Sequence, residues 1–474
     1  MWLSGSFLFS AILFNTAYSQ TVVAPPIIDL GYAKYLGNRS YPDTVAYLGL
    51  PYAEPPLGER RFRAPVPLNT KRISLEANGA VINATNHELE GYVYGNPANW
   101  PFDHWIHQSP NVVIVSIYYR LSSFGFLSTP ELSDSKLGDL NAGFKDQVEA
   151  LRWIKRNIAT FGGNPNKVTI DGVSAGGSSV ELHLVANERE RLFSGAIAQS
   201  VYRTTVPTPE EQKPLFEFYA ERAGCGKGNV AAKLACLRSA SVTALARAQD
   251  AAIIEEVAPY RRFIPVVDGK LITDFPTRSI TSGKFLPVPL MIGRVIASTN
   301  ETLLGGLNDL HLALKYVCPS VTAKDVAELY DRSIMAQAFS KKTKTWTYRY
   351  NEHKPVSSIP GVGHAAENWM MFVGTNPGYN GTTEYTPVND IQRSFAEELI
   401  AYWLSFVRSG DPNTHKLARS PVWPTYDSKK PGRIVLQQAA TSDKGSSGSW
   451  AEYEDKSETQ QCAVIAGQVA HQEN

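Results

Sequence analysis

The sequence carries almost no net charge. Lys and Arg total 46 against 45 Asp and Glu, leaving +1 over 474 residues with histidine neutral. That balance offers no basic field to gather nucleic acid, and no Lys/Arg run supplies one locally. There is no internal repeat of roughly 20–50 residues, which excludes repeat architectures. Long hydrophobic runs are missing after the N-terminus, so no later segment reads as a membrane helix. Cysteine is scarce: four residues, at 225, 236, 318 and 462. What is present is ordinary globular material, 43% hydrophobic and 19% charged, enough for a large core.

The N-terminus MWLSGSFLFSAILFNTAYSQ has an apolar middle, Phe7 to Phe14, then small residues at Ala17 and Ser19. This is the pattern of a secretory signal peptide, residues 1–19, cleaved after Ser19, although its usual positive start is missing. The mature chain, 20–474, shows no linker that would divide it and reads as a single domain. Its serine-rich stretch Thr441–Ser449 is expected as a solvated part of a polar tail from about 438. Export permits disulfides and glycans. Cys225 and Cys236 close a short loop and form a plausible bridge. Cys318 and Cys462 either pair with each other or stay free. N-x-S/T sequons stand at Asn38, Asn83, Asn300 and Asn380.

Short β-forming runs alternate with helical patterns. NVVIVSI (111–117), KVTIDGV (167–173), SGAIAQS (194–200), PLMIGRV (289–295) and TWTYRYN (345–351) are continuously apolar more often than alternating. Strands covered on both faces have that pattern. Val148, Leu151, Ile154 and Ile158 share one helical face, as do Phe395, Leu399, Tyr402 and Phe406 before the stop at Gly410. The alternation predicts an α/β fold with a mostly parallel sheet.

Residues 169–180 read TIDGVSAGGSSV, and Gly172 to Gly176 fit G-x-S-x-G. The pattern alone is weak, with on the order of 0.1–0.3 chance matches in a chain this long. Its setting strengthens it, because a strand precedes and a helix follows. Such a turn strains the serine backbone, so both flanking glycines are expected to be required. It lifts the Ser174 hydroxyl clear of the sheet and aims the Ala175 N–H at a developing oxyanion. The structural alternative is a glycine-rich turn with a capping serine.

Here the chain resembles the type-B carboxylesterases, the cholinesterase-like branch of the α/β-hydrolase fold that includes fungal lipases. The resemblance runs from about Val45 to Tyr426. It rests on VAYLGLPYAEPPLGERRFRAPVPL (45–68), FGGNPNKVTIDGVSAGG (161–177), AGC…ACLRS (223–239), and RSGDPN with VWPTY. It implies a central mostly parallel sheet with helices on both faces and a secreted serine ester hydrolase needing no metal or cofactor. Its substrate would be a small-molecule or lipid ester. His364, in PGVGHAAENW, matches the family's catalytic histidine. Glu301, in STNETLLGG, matches its acid, and Asp268 in FIPVVDGK is the alternative. The order Ser, acid, His is that of α/β-hydrolases. Thr302 departs from the family glycine and makes Asn300 a sequon beside the proposed acid, so Asn300 is expected to be unmodified. Asp146 and Ser200 read as buried support for the site, or more plainly as core hydrogen bonding.

One part is missing. The family's His-Gly-Gly-Gly-type loop and the central strand before it have no counterpart between about Arg72 and Glu90. Gly91 matches the last glycine of that loop and, with Ala175, is the expected remnant of the oxyanion hole. Glu90 would set a carboxylate near an oxyanion, which is repulsive. The fold is therefore expected to lack a central strand. A non-catalytic binding protein of the same family is the rival reading.

Overall fold

The computed structural model describes residues 25–84, 99–201, 206–255, 263–295, 333–352, 362, 366–377, 383–441 and 445–454. Segment 1–19, Gly91, Asn300, Glu301, Cys318, His364, Asn380 and Cys462 lie outside the described residues.

Four of the five apolar runs form strands: β1 (Thr169–Val173), β2 (Gly195–Gln199), β3 (Leu290–Val295) and β4 (Thr345–Tyr350). β5 (Gly432–Leu436) and β6 (Trp450–Tyr453) complete a six-stranded sheet in the order β6-β5-β4-β3-β2-β1. Strands β1 to β5 are parallel and β6 is antiparallel. Register aligns the strand ends, with Val173 opposite Gln199, Gln199 opposite Gly293, and Gly293 opposite Tyr348.

Successive side chains leave a strand on opposite faces. Ile197, Met291 and Trp346 accordingly pack in one core, whereas Ala196, Ala198, Leu290 and Ile292 pack in another. The first core is closed by α3 (Ala366–Met371) and α4 (Asp390–Ser409), the second by α1 (Ala142–Asn157) and α2 (Ala175–Val185). Burial on both sides explains why β2 and β4 read as continuous apolar runs, whereas β1, the last strand of the described sheet, is only half-buried. The predicted helical faces are the buried ones, from Val148 to Ile158 and from Phe395 to Phe406. Helix α4 starts in a capping box of Asn389 and Gln392 and ends at Gly410, φ 71°. A third core joins helices Pro209–Arg222, Val230–Ser239 and Val242–Ile254, beside the Cys225–Cys236 disulfide.

Two expectations are corrected. Residues 111–117 join no sheet among the described residues, and Val113, Val115 and Tyr118 are exposed. A strand needs a neighbour, and β1 is the last strand of the described sheet. The segment is instead fixed at its C-terminal end. Tyr52 donates its hydroxyl to the Tyr118 carbonyl at 2.9 Å, and Arg120 engages Asp146. The Arg120 Nε and Nη2 each reach Asp146 at 2.7 Å, and both residues are buried, so Asp146 does provide internal support. Nor does the serine-rich stretch run free as a solvated tail. The Ser447 and Ser449 hydroxyls donate to buried Glu398 at 2.9 and 2.7 Å, and Trp450 opens β6.

Candidate active site

Ser174 sits between β1 and α2 at φ 56°, ψ −118°. A non-glycine residue held there is strained by about 1–3 kcal/mol and persists only where its surroundings over-determine it. Here they do. The Ser174 N–H donates to the Gln199 carbonyl at 3.0 Å, and the Ser174 carbonyl accepts the Ser178 N–H at 2.9 Å.

The role of the glycines differs from the expectation. A Cβ on Gly172 would lie 2.4 Å from the carbonyl carbon and oxygen of Gly176, so no side chain fits. A Cβ on Gly177 would lie 2.7 Å from the Gln199 carbonyl oxygen. At Gly176 a Cβ would meet nothing within 4 Å. The turn therefore requires Gly172 and Gly177, not both glycines of the motif, because it folds back on β1 and β2 and leaves the Gly176 side open.

Ala175 is exposed and opens α2. Its N–H is one of the first four that have no intrahelical acceptor, at the positive end of the helix dipole. An anion held beside the turn would meet it. Gly91, Glu301 and His364 lie outside the described residues, but Val362 and Ala366, which bracket His364, are buried.

Beneath the turn lies a polar cluster that sequence reasoning found only in part. Ser200, directly after β2, donates its hydroxyl to Glu367 Oε1 at 2.9 Å. Glu367, in the first turn of α3, is fully buried. Burial pushes its carboxyl up to about 7 and the charge of Asp171 adds to the rise, while hydrogen bonds from Ser200 and Tyr348 oppose it. The Tyr348 ring fills the space a Cβ on Gly293 would occupy, 2.1 Å from that position. Gln199 donates its side-chain amide to Asp171 Oδ1 at 2.9 Å. Glu367, Asp171 and Gln199 were missed, since nothing local marks these polar residues as meeting under one turn. The only available signal was a glutamate, followed by Asn368, leading into the apolar run WMMF.

Asp268 is occupied elsewhere. Its Oδ1 accepts the N–H groups of Lys270, Leu271 and Ile272, and its Oδ2 accepts the Asn141 amide, as befits a turn aspartate. His183, on α2, is a half-buried core histidine. Burial drives it down to about 3, and Nε2 sits 3.0 Å from the Gln147 side-chain oxygen. Cys225 and Cys236 are bonded as expected. Asn38 and Asn83 are exposed. Among the described residues no group of three or more His, Cys, Asp or Glu could hold a metal, and no described helix is long and apolar enough to cross a membrane.

A sequence profile described as the carboxylesterase family matches residues 90–308 and 298–464. The chain is 31% identical to a mouse (Mus musculus) cholinesterase over 488 residues, covering 82% of this chain and 79% of that protein. That alignment engages about 389 residues here, 82% of 474, so about 100 of its positions face no residue of this chain. It is 26% identical to a para-nitrobenzyl esterase of Bacillus subtilis, over 83% of this chain and 91% of that one. The crystal structure of Aspergillus niger EstA superposes with a TM-score of 0.76 at 26% identity, covering 95% of this chain and 99% of that one.

Proposed function

The chain belongs to the carboxylesterase family, a carboxylic ester hydrolase of α/β-hydrolase fold, and from that premise we propose that Ser174 is the nucleophile of a secreted serine esterase. Ser174 attacks an ester carbonyl, His364 takes the hydroxyl proton, and Glu301 orients the imidazole. The alcohol leaves with the proton that His364 returns, and water then releases the acid from Ser174 by the same route. The Ala175 N–H receives the negative charge that develops on the carbonyl oxygen, and Gly91 is the candidate second donor. The substrate is a small-molecule or lipid ester. Export follows from segment 1–19, and exposed Asn38 and Asn83, with Asn380, are the expected glycan sites.

The observation that carries this reading is the backbone of Ser174. A plain glycine turn has no need of a serine at φ 56°, ψ −118°. Strain of that kind, placed at the C-terminal ends of parallel strands, is typical of a reacting group held ready.

A second reading, a non-catalytic binding protein of the same family, is favoured by one observation: β1, which carries the serine turn, is the last strand of the described sheet, in keeping with the missing glycine-loop strand. Losing one oxyanion donor typically costs about 10²–10³-fold in rate.

The deciding experiment is hydrolysis of p-nitrophenyl butyrate by the 474-residue chain beside Ser174→Ala. Turnover that disappears in the variant upholds the esterase. No serine-dependent turnover from a chain that melts cooperatively upholds the binding protein.

A further inference from the structure

Glu367 stands outside the residues given to the chemistry, yet it is a fully buried carboxyl joined to the Ser174 turn through Ser200 and Gln199. A buried carboxyl must give up water, and an apolar residue would fill the same space more cheaply. What it returns is a contact. Its Oε1 accepts the Ser200 hydroxyl at 2.9 Å, and Ser200 is itself held at φ 46°, with its N–H donated to the Gly293 carbonyl at 2.8 Å.

Ser200 follows directly on Gln199, and Gln199 grips the nucleophile turn twice. Its carbonyl accepts the Ser174 N–H at 3.0 Å, and its side-chain amide donates to Asp171 at 2.9 Å. The two contacts fall on either side of Gly172. The same carbonyl oxygen is the atom a Cβ on Gly177 would meet at 2.7 Å, so the approach of the turn to Gln199 depends on that glycine. Two consecutive strand ends, at Ser174 and at Ser200, thus both leave their strands through positive φ, and each is tied to the next.

We propose that Glu367, acting through Ser200, is a positioning residue for the Ser174 turn. The carboxyl anchors the Ser200 hydroxyl, which fixes the Gln199 main chain, whose carbonyl fixes the Ser174 N–H and hence the direction of the nucleophile. This inference rests on Ser174 being the nucleophile, and its test separates the two claims.

The test compares Ser200→Ala, Glu367→Ala and Glu367→Gln in the full chain. It reads kcat and KM on p-nitrophenyl butyrate, hydrogen exchange of the peptide spanning 169–180, and the thermal melt. Misplacing a reacting group by about 1 Å can cost 10²-fold, so Ser200→Ala and Glu367→Ala are expected to lower kcat about 10- to 100-fold with KM within about twofold. Exchange at 169–180 is expected to rise in both. Glu367→Gln keeps an acceptor at the Oε1 position and is expected to restore most of kcat, which a general loss of packing would not allow. Wild-type kcat in Ser200→Ala overturns the proposal, as does Glu367→Gln remaining as impaired as Glu367→Ala. If Glu367→Ala does not fold, Ser200→Ala and Glu367→Gln carry the same comparison. If the wild-type chain shows no turnover, the esterase reading fails and exchange alone decides: faster exchange at 169–180 in Ser200→Ala upholds the positioning role, and unchanged exchange overturns it.

Discussion

Alanine placed at Gly172, Gly176 and Gly177 in turn gives three outcomes within six residues. At Gly172 the added carbon lies 2.4 Å from main-chain atoms of Gly176, about 1 Å inside ordinary contact. Neither partner is a movable side chain, so the turn itself must open. Overpacking of this kind costs about 1–3 kcal/mol, and close contact with three main-chain atoms of Gly176 puts Gly172→Ala at the upper end. At Gly177 the carbon lies 2.7 Å from the Gln199 oxygen, a smaller intrusion, so the loss falls lower in the same range. At Gly176 nothing lies within 4 Å, and the residue is the second of helix α2. Alanine there removes backbone freedom from the unfolded chain and gains up to about 0.5–1 kcal/mol. Urea unfolding and thermal melts of the three variants should therefore rank Gly176→Ala at or above the wild type, then Gly177→Ala, then Gly172→Ala. A Gly176→Ala chain as destabilised as Gly172→Ala would refute this account of the turn.

The Cys225–Cys236 bridge closes a loop at a separation of 11 residues, and constraint of the unfolded chain by a loop of that size is worth about 3 kcal/mol. Replacing both cysteines by serine should lower the unfolding free energy obtained from urea titration by that amount, and peptide mapping without reductant should show the pair joined. Glu367 predicts a pH effect of definite sign. Its folded value of about 7 lies above the usual 4.5, so the folded state retains a proton that the unfolded state has released between those values. The stabilisation is complete below about pH 4.5 and is lost as pH rises through 7, amounting to about 3 kcal/mol. Glu367→Gln should flatten the fall in Tm across that interval, and an unaltered profile would show that this carboxyl does not titrate there.

Much of the fold was legible because it depends on local pattern. Runs such as SGAIAQS and TWTYRYN declare their own two-sided burial, and they are β2 and β4. The buried faces of α1 and α4 follow from helical spacing, and the stop at Gly410 from the residue that tolerates a positive φ. The strand-turn-helix setting of Ser174 belongs to the same class. NVVIVSI shows the limit. Its propensity is that of a strand, but pairing is a property of two segments, and no described segment accepts it.

By itself, the sequence determined the order of strands and helices, the position of the serine turn, the two-sided burial of the sheet and the short disulfide loop. Each depends on spacing within a few turns of chain. Only the tertiary structure decided which glycines the turn cannot lose, that Glu367 and Asp171 come near one another beneath it, and that Ser447 and Ser449 turn inward to Glu398. The first depends on main-chain atoms that meet at the turn, and the others on atoms brought together across 28 to 167 residues. Contact and desolvation at that separation leave no periodic trace in the chain.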